Sequence, residues 1–245
     1  MSRLSRMVLI ASMLCLVAAL LALGTWQMRR LEWKNNLVAE ITERRTAAPR
    51  SVAEVNEIWK RDADVDYFPV SAHARFDHAS EVYFYSTRDS AVGWEVITPA
   101  QLDDGTWLIV DRGFVPDSFR DPATRAQGQT EGMVEITGLA RNPQSEKPNR
   151  FVPENRPEKR EFYWKSFSQI AAATGLSGKT VIPFILDAED RPIAGGWPKG
   201  GSTLISFPNN HLQYALTWYG LAVALVGVGG YFLFSRKTPA ALNSQ

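Results

Sequence analysis

The residues best suited to chemistry stand together late in the chain, in Pro208-Asn209-Asn210-His211-Leu212-Gln213-Tyr214-Ala215-Leu216-Thr217-Trp218-Tyr219-Gly220. On a helix turning about 100° per residue, His211, Tyr214, Ala215, Trp218 and Ala222 fall on one side. Gln213, Thr217, Gly220, Ala224 and Gly227 fall on the other. A neutral imidazole is a good iron ligand, and a planar porphyrin stacks on aromatic rings. His211 is therefore a candidate metal ligand, and His211, Tyr214 and Trp218 form a candidate cofactor-binding group. The same side chains also suit plain interfacial anchors, because Trp and Tyr gather at membrane surfaces. Both readings stand at this level. The small, weakly polar side is the composition that lets membrane helices approach closely, and Ala11, Cys15, Ala18 and Ala22 could match it. Pro208 and Asn210 mark the expected helix start.

Other reactive constellations are hard to find, and no catalytic residue is assigned. The chain has no Gly-x-Ser-x-Gly elbow, no phosphate-binding Gly-x-x-x-x-Gly-Lys loop and no Gly-x-Gly-x-x-Gly fingerprint. His73 and His78 fall on a strand and in a turn, a poor spacing for a shared metal, and read as solvated. Asp103 and Asp104 precede Gly105 and read as turn residues. Cys15 is the only cysteine, so no internal disulfide, redox pair or thiolate metal site can form. A net charge of +1 leaves no nucleic-acid footprint. Nothing here points to an enzyme.

Two apolar runs must position the histidine. The first covers residues 7–26 and the second 211–234, each long enough to cross a hydrocarbon core of about 30 Å. The first could instead be a cleaved signal peptide, but it exceeds the usual apolar length and is followed by Trp26. Retention of two spans is the expectation. The tails, 1–6 and 235–245, carry Arg3, Arg6, Arg236 and Lys237 and should face the cytoplasm. Arg29, Arg30 and Lys34 oppose that orientation, although long domains translocate largely regardless of charge. No Arg- and Ser-rich segment precedes the first run, which favours a bacterial inner membrane with a periplasmic domain.

Residues 27–210 form an extracytoplasmic, mainly β domain. Helix should continue from Trp26 to about Thr46. Ser51-Val-Ala-Glu54 is a capping box that opens a second helix. Val70, Ala72, Ala74 and Phe76 alternate with polar residues as a strand, and Glu81–Ser86 reads as its neighbour. Gly93–Gln101 and Thr106–Phe114 form a hairpin across Asp104-Gly105. A polar loop over 117–132, a strand over 133–140 and a long exposed loop over 141–161 follow. Ser166 opens a short helix with Gln169 as capping partner, and Val181–Asp187 is the last strand. Some six mainly antiparallel strands with a few short helices imply a small barrel or sandwich.

Several segments resemble the surfeit locus protein family of cytochrome c oxidase assembly factors. Asn209-x-His211-Leu-Gln-Tyr-Ala-x-Thr-Trp-Tyr219 is similar to the family's second transmembrane segment. Gly24-Thr-Trp26-Gln27-Met-Arg-Arg30-Leu-Glu-Trp33-Lys34 is similar to its exit from the first span. Gly93-Trp94-Glu-Val-Ile-Thr98-Pro99, Val110-Asp111-Arg112-Gly113-Phe114-Val115-Pro116 and Gly138-Leu-Ala-Arg141 resemble its central strands. Asp111 and Phe114 stand where Asn and Trp are more usual. The resemblance implies the same two-span architecture and a role in maturing the haem-bearing subunit of a haem–copper oxidase. It further implies haem A as the bound group with His211 as ligand. The implied partners are the oxidase catalytic subunit, haem A synthase and membrane lipid. The competing expectation is a membrane scaffold that holds oxidase subunits or the synthase and never touches haem.

Overall fold

The computed structural model describes residues 3–201 and 209–234, which fall into two compact units: 3–40 with 209–234, and 41–201. Pro208 and the tail residues Arg236 and Lys237 lie outside the described residues. The first unit includes residues 27–40.

Among the described residues there are four α-helices: α1 (Arg3–Thr46), α2 (Val52–Asp62), α3 (Phe167–Ala173) and α4 (His211–Phe234). Helices α1 and α4 are long and apolar enough to cross a membrane. In α1 the helix runs uninterrupted past the apolar stretch to Thr46, as expected. The capping box forms as read: Glu54 N–H donates to Ser51 Oγ, and Ser51 N–H donates to Glu54 Oε2. At α3 it does not. Ser166 is the N-cap without a side-chain bond, and Gln169 Oε1 instead accepts from Asn155 Nδ2 at 2.9 Å. A partner in the preceding loop competes with the local cap.

Among the described residues there are eight strands: β1 (Arg50–Ser51), β2 (Pro69–Phe76), β3 (Val82–Arg88), β4 (Ala91–Leu102), β5 (Trp107–Pro116), β6 (Met133–Arg141), β7 (Glu161–Phe162) and β8 (Val181–Ala188). Strand β2 shows the expected alternation, whereas β4 and β5 are buried on both faces. Sheet order is β1-β2-β6-β8-β5-β4-β3-β7, and β2 also pairs with β4. That extra pairing closes β2, β6, β8, β5 and β4 into a five-stranded barrel, the small-barrel half of the expectation. Closure leaves no room for β3 beside β2. The strand expected there pairs with β4 and β7 instead, because residues 77–81 carry the chain to the far side of β4. Pairs β1–β2, β3–β7 and β5–β8 are parallel. The β5–β8 pair needs a long crossover, which contains the 142–160 loop and α3.

Alternate side chains of the barrel strands build one core. Val70, Ala74, Leu108, Val110, Phe184 and Leu186 cluster with Val52 and Val55 of α2. The opposite face, with Val82, Ile97, Ile109 and Ile185, packs on Phe162, Ile170 and Leu176. Between β4 and β5, Gly105 takes φ +83°, as the tight turn requires. Leu102 N–H closes that turn on Thr106 O at 2.9 Å.

Candidate functional site

His211 is the first residue of α4 and lies half-buried against α1. Its Nδ1 stands 2.7 Å from Gln27 Oε1. A carbonyl oxygen only accepts, so in this geometry Nδ1 carries the proton and Nε2 keeps its lone pair. Among the described residues Nε2 has no hydrogen-bond partner. Two further bonds join the helices on either side of this one. Asn209 Nδ2 donates to Asn35 Oδ1 at 2.9 Å, and Thr25 Oγ1 lies 3.2 Å from Tyr219 OH.

The two helices meet along a seam that the small residues do not define. In α1 the covered positions include Met13, Val17, Leu20, Gly24, Gln27 and Leu31; in α4 they include His211, Ala215, Trp218, Tyr219, Ala222, Leu225 and Gly229. Most of these positions recur at three- and four-residue steps, the spacing of a helix pair packed side by side. Ala215 and Ala222 are 1% and 3% exposed. The expected pairing of Gln213, Thr217, Gly220, Ala224 and Gly227 with Ala11, Cys15, Ala18 and Ala22 is therefore reversed, since all nine are exposed. Large side chains meet glycines in the seam instead, Tyr219 over Gly24 and Met13 beside Gly229. That complementarity between unlike residues is invisible to a search for matched small stripes.

The three candidate residues consequently divide. His211 and Trp218 line the seam half-buried, whereas Tyr214 is 54% exposed at its edge. His211 would hold a metal through one ring nitrogen, with the other nitrogen on Gln27. Among the described residues no group of three or more His, Cys, Asp or Glu is arranged to hold a metal ion.

The β domain holds a second polar centre, which sequence reasoning did not single out. Lys165 Nζ lies 2.6 Å from Asp111 Oδ2, 3.0 Å from Glu95 Oε2 and 3.6 Å from Asp187 Oδ1. These carboxylates come from β5, β4 and β8, so one ammonium ties three barrel strands to the segment before α3. Arg141 Nε from β6 approaches Asp187 at 3.8 Å and Asp66 at 3.7 Å. Four carboxylates, Asp111, Glu95, Asp187 and Asp66, share these two cations. Asp111, with its side chain 0% exposed, is pushed up to about 7 by burial and by Glu95. Burial works against the Lys165 ammonium, but Asp111, Asp187 and Glu95 outweigh it and hold its affinity for the proton well above the usual lysine range. The arrangement is a buried ionic clamp. Its sequence signal was a charged residue on strands whose two faces are both covered, as at Asp111 and Glu95.

His78, expected to be solvated, is half-buried. Its Nε2 donates to Thr130 O at 2.9 Å, and Arg112 Nη1 donates to Nδ1 at 3.2 Å. Burial, reinforced by Arg112, lowers its affinity for a proton. Close by, Arg125 and Glu81 form a fully buried ion pair, and Tyr83 OH donates to Glu81 Oε1 at 2.7 Å. His73, by contrast, is exposed and meets Asp103 at 2.9 Å.

A closed β-barrel domain, preceded and followed in sequence by helices of membrane-crossing length, defines the class of protein. The chain belongs to the SURF1 family, which it matches over residues 14–223. It is 35% identical to surfeit locus protein 1 of Mus musculus over 93% of this chain and 76% of that protein. With the Homo sapiens protein of the same name it shares 36% over 82% and 70%. With a SURF1-like protein of Drosophila melanogaster it shares 30% over 86% and 73%.

Proposed function

We propose that this protein is an assembly factor for cytochrome c oxidase that binds haem A as cargo through His211 and aids its insertion into the oxidase catalytic subunit. It performs no turnover of its own. It resides in a bacterial inner membrane with both tails cytoplasmic and the β domain periplasmic, and its partners are the nascent catalytic subunit and haem A synthase. Family membership and the resemblance of the His211 segment support the oxidase role. The observation that carries the haem reading is the placement of His211: Nδ1 is engaged by Gln27, and Nε2 has no hydrogen-bond partner among the described residues.

The residues divide the work. His211 supplies the ligand nitrogen, Gln27 holds the ring, and Tyr214 at the seam edge offers an apolar ring face. Bound haem would bring the iron centre and porphyrin plane that the oxidase requires. The second reading, a scaffold that never touches haem, has its own support in the half-buried placement of His211 and Trp218 within the helix seam. There they could serve packing alone.

Complementation separates the two. In a strain lacking this gene, the wild-type chain is expected to restore haem A in the purified oxidase, and His211→Ala is expected to assemble the subunits but leave haem content low. Full restoration by His211→Ala would favour the scaffold.

A further inference from the structure

We propose that Gln27 is a positioning residue: it fixes His211 in the tautomer protonated at Nδ1 and so leaves Nε2 as the ligand atom. The relevance to haem rests on the function proposed above, whereas the tautomer is argued from the contact of a neutral ring with the Gln27 amide oxygen. Nδ1 and Gln27 Oε1 are 2.7 Å apart, and the amide oxygen has no proton to give. A neutral imidazole carries one N–H, so placing it on Nδ1 empties Nε2.

The bond is not an incidental surface contact. Gln27 and His211 both occupy seam positions of their helices. Their contact lies between the Asn35–Asn209 bond and the Thr25–Tyr219 bond, so helix packing on both sides sets its length. An interfacial anchor would turn its polar nitrogens outward to water and headgroups. Here one nitrogen is turned inward, onto a partner that can only accept. Metal-bound histidines are commonly oriented in this way, by an acceptor on the ring nitrogen that faces away from the metal. An amide oxygen does so without adding a charge at the edge of a membrane span.

The test is nitrogen NMR of the full-length, haem-free protein in detergent, with isotope-labelled histidine rings, in mildly alkaline buffer. The chain has three histidines, and loss of one pair of ring signals in His211→Asn assigns the pair of interest. The wild type is expected to show Nδ1 protonated and Nε2 bearing the lone pair. Gln27→Glu keeps an acceptor and should retain that pattern. Gln27→Leu should move the proton towards Nε2, the form preferred by a free imidazole, while helix content remains that of the wild type. A wild-type ring protonated at Nε2, or a tautomer unchanged in Gln27→Leu, would overturn the assignment. The expected tautomer in a protein that takes up no haem would instead defeat the proposed function and leave the role of Gln27 intact.

Discussion

The ring of Tyr219 fills the space that a side chain at Gly24 would need: a Cβ there would come within 2.6 Å of Tyr219 Cε1. Gly24 is therefore a seam position that cannot accept bulk unless that ring moves. Gly24→Leu should separate the two helices and lower the yield and thermal stability of the detergent-purified protein, by about 1–3 kcal/mol if the pair repacks. A side chain at Gly220 would meet nothing within 4 Å, so Gly220→Leu should leave both unchanged. The opposite ranking would mean that the small-residue sides face each other after all.

Much of the fold was legible because its signals are local. The alternation at Val70–Phe76, the capping box at Ser51 and Glu54, and the Asp104-Gly105 turn each depend on residues a few positions apart. What escaped depends on distant partners. Barrel closure through β2–β4 cannot be read from either strand alone, nor could the placement of β3. At the site, His211 was visible as a chemical type, but its inward bond to Gln27 links residues 184 positions apart. Asp111 was visible only as a departure from a motif, because the lysine that explains it lies 54 residues away.

The clamp predicts a pH signature. Asp111 has a folded proton affinity of about 7 against an ordinary 3.8, so the folded state binds its proton more tightly than the unfolded state. Its contribution to stability is full below about pH 4 and is lost as pH rises through about 7. Asp111→Asn should abolish that decline, gaining stability relative to wild type on going from acid to mildly alkaline buffer, by on the order of a few kcal/mol. Denaturant unfolding of both proteins across that range checks it. Parallel curves would show that Asp111 is not the titrating group.

Lys165→Met removes the cation shared by Asp111, Glu95 and Asp187. Leaving buried carboxylates without it should cost about 3–5 kcal/mol at neutral pH. Restoring one charge balance with Lys165→Met and Asp111→Asn together should recover part of the loss. A double variant no better than the single would argue against direct coupling.

His78 titrates in the opposite sense. Its folded affinity is lowered, so stability is full above the ordinary value of 6.5 and falls as pH drops below it. His78→Gln, which cannot take up a proton, should flatten the acid side of the unfolding profile. An unchanged acid slope would assign that slope to other groups.

Gly105→Val should destabilise the domain by about 1–3 kcal/mol, because a β-branched residue resists φ +83° even though open space surrounds the position. Thermal unfolding measures it, and an unchanged midpoint would place the cost of the turn elsewhere.

The most direct measurement of the central claim is the absorption spectrum of the full-length protein purified from cells that make haem A. The wild type is expected to carry pigment with the spectrum of a histidine-ligated haem. His211→Ala should lose the pigment or shift its bands while the protein still inserts and folds, and Trp218→Ala should weaken retention less, since it leaves the ligand in place. A His211→Ala protein with full haem occupancy and an unaltered spectrum would contradict His211 as the ligand.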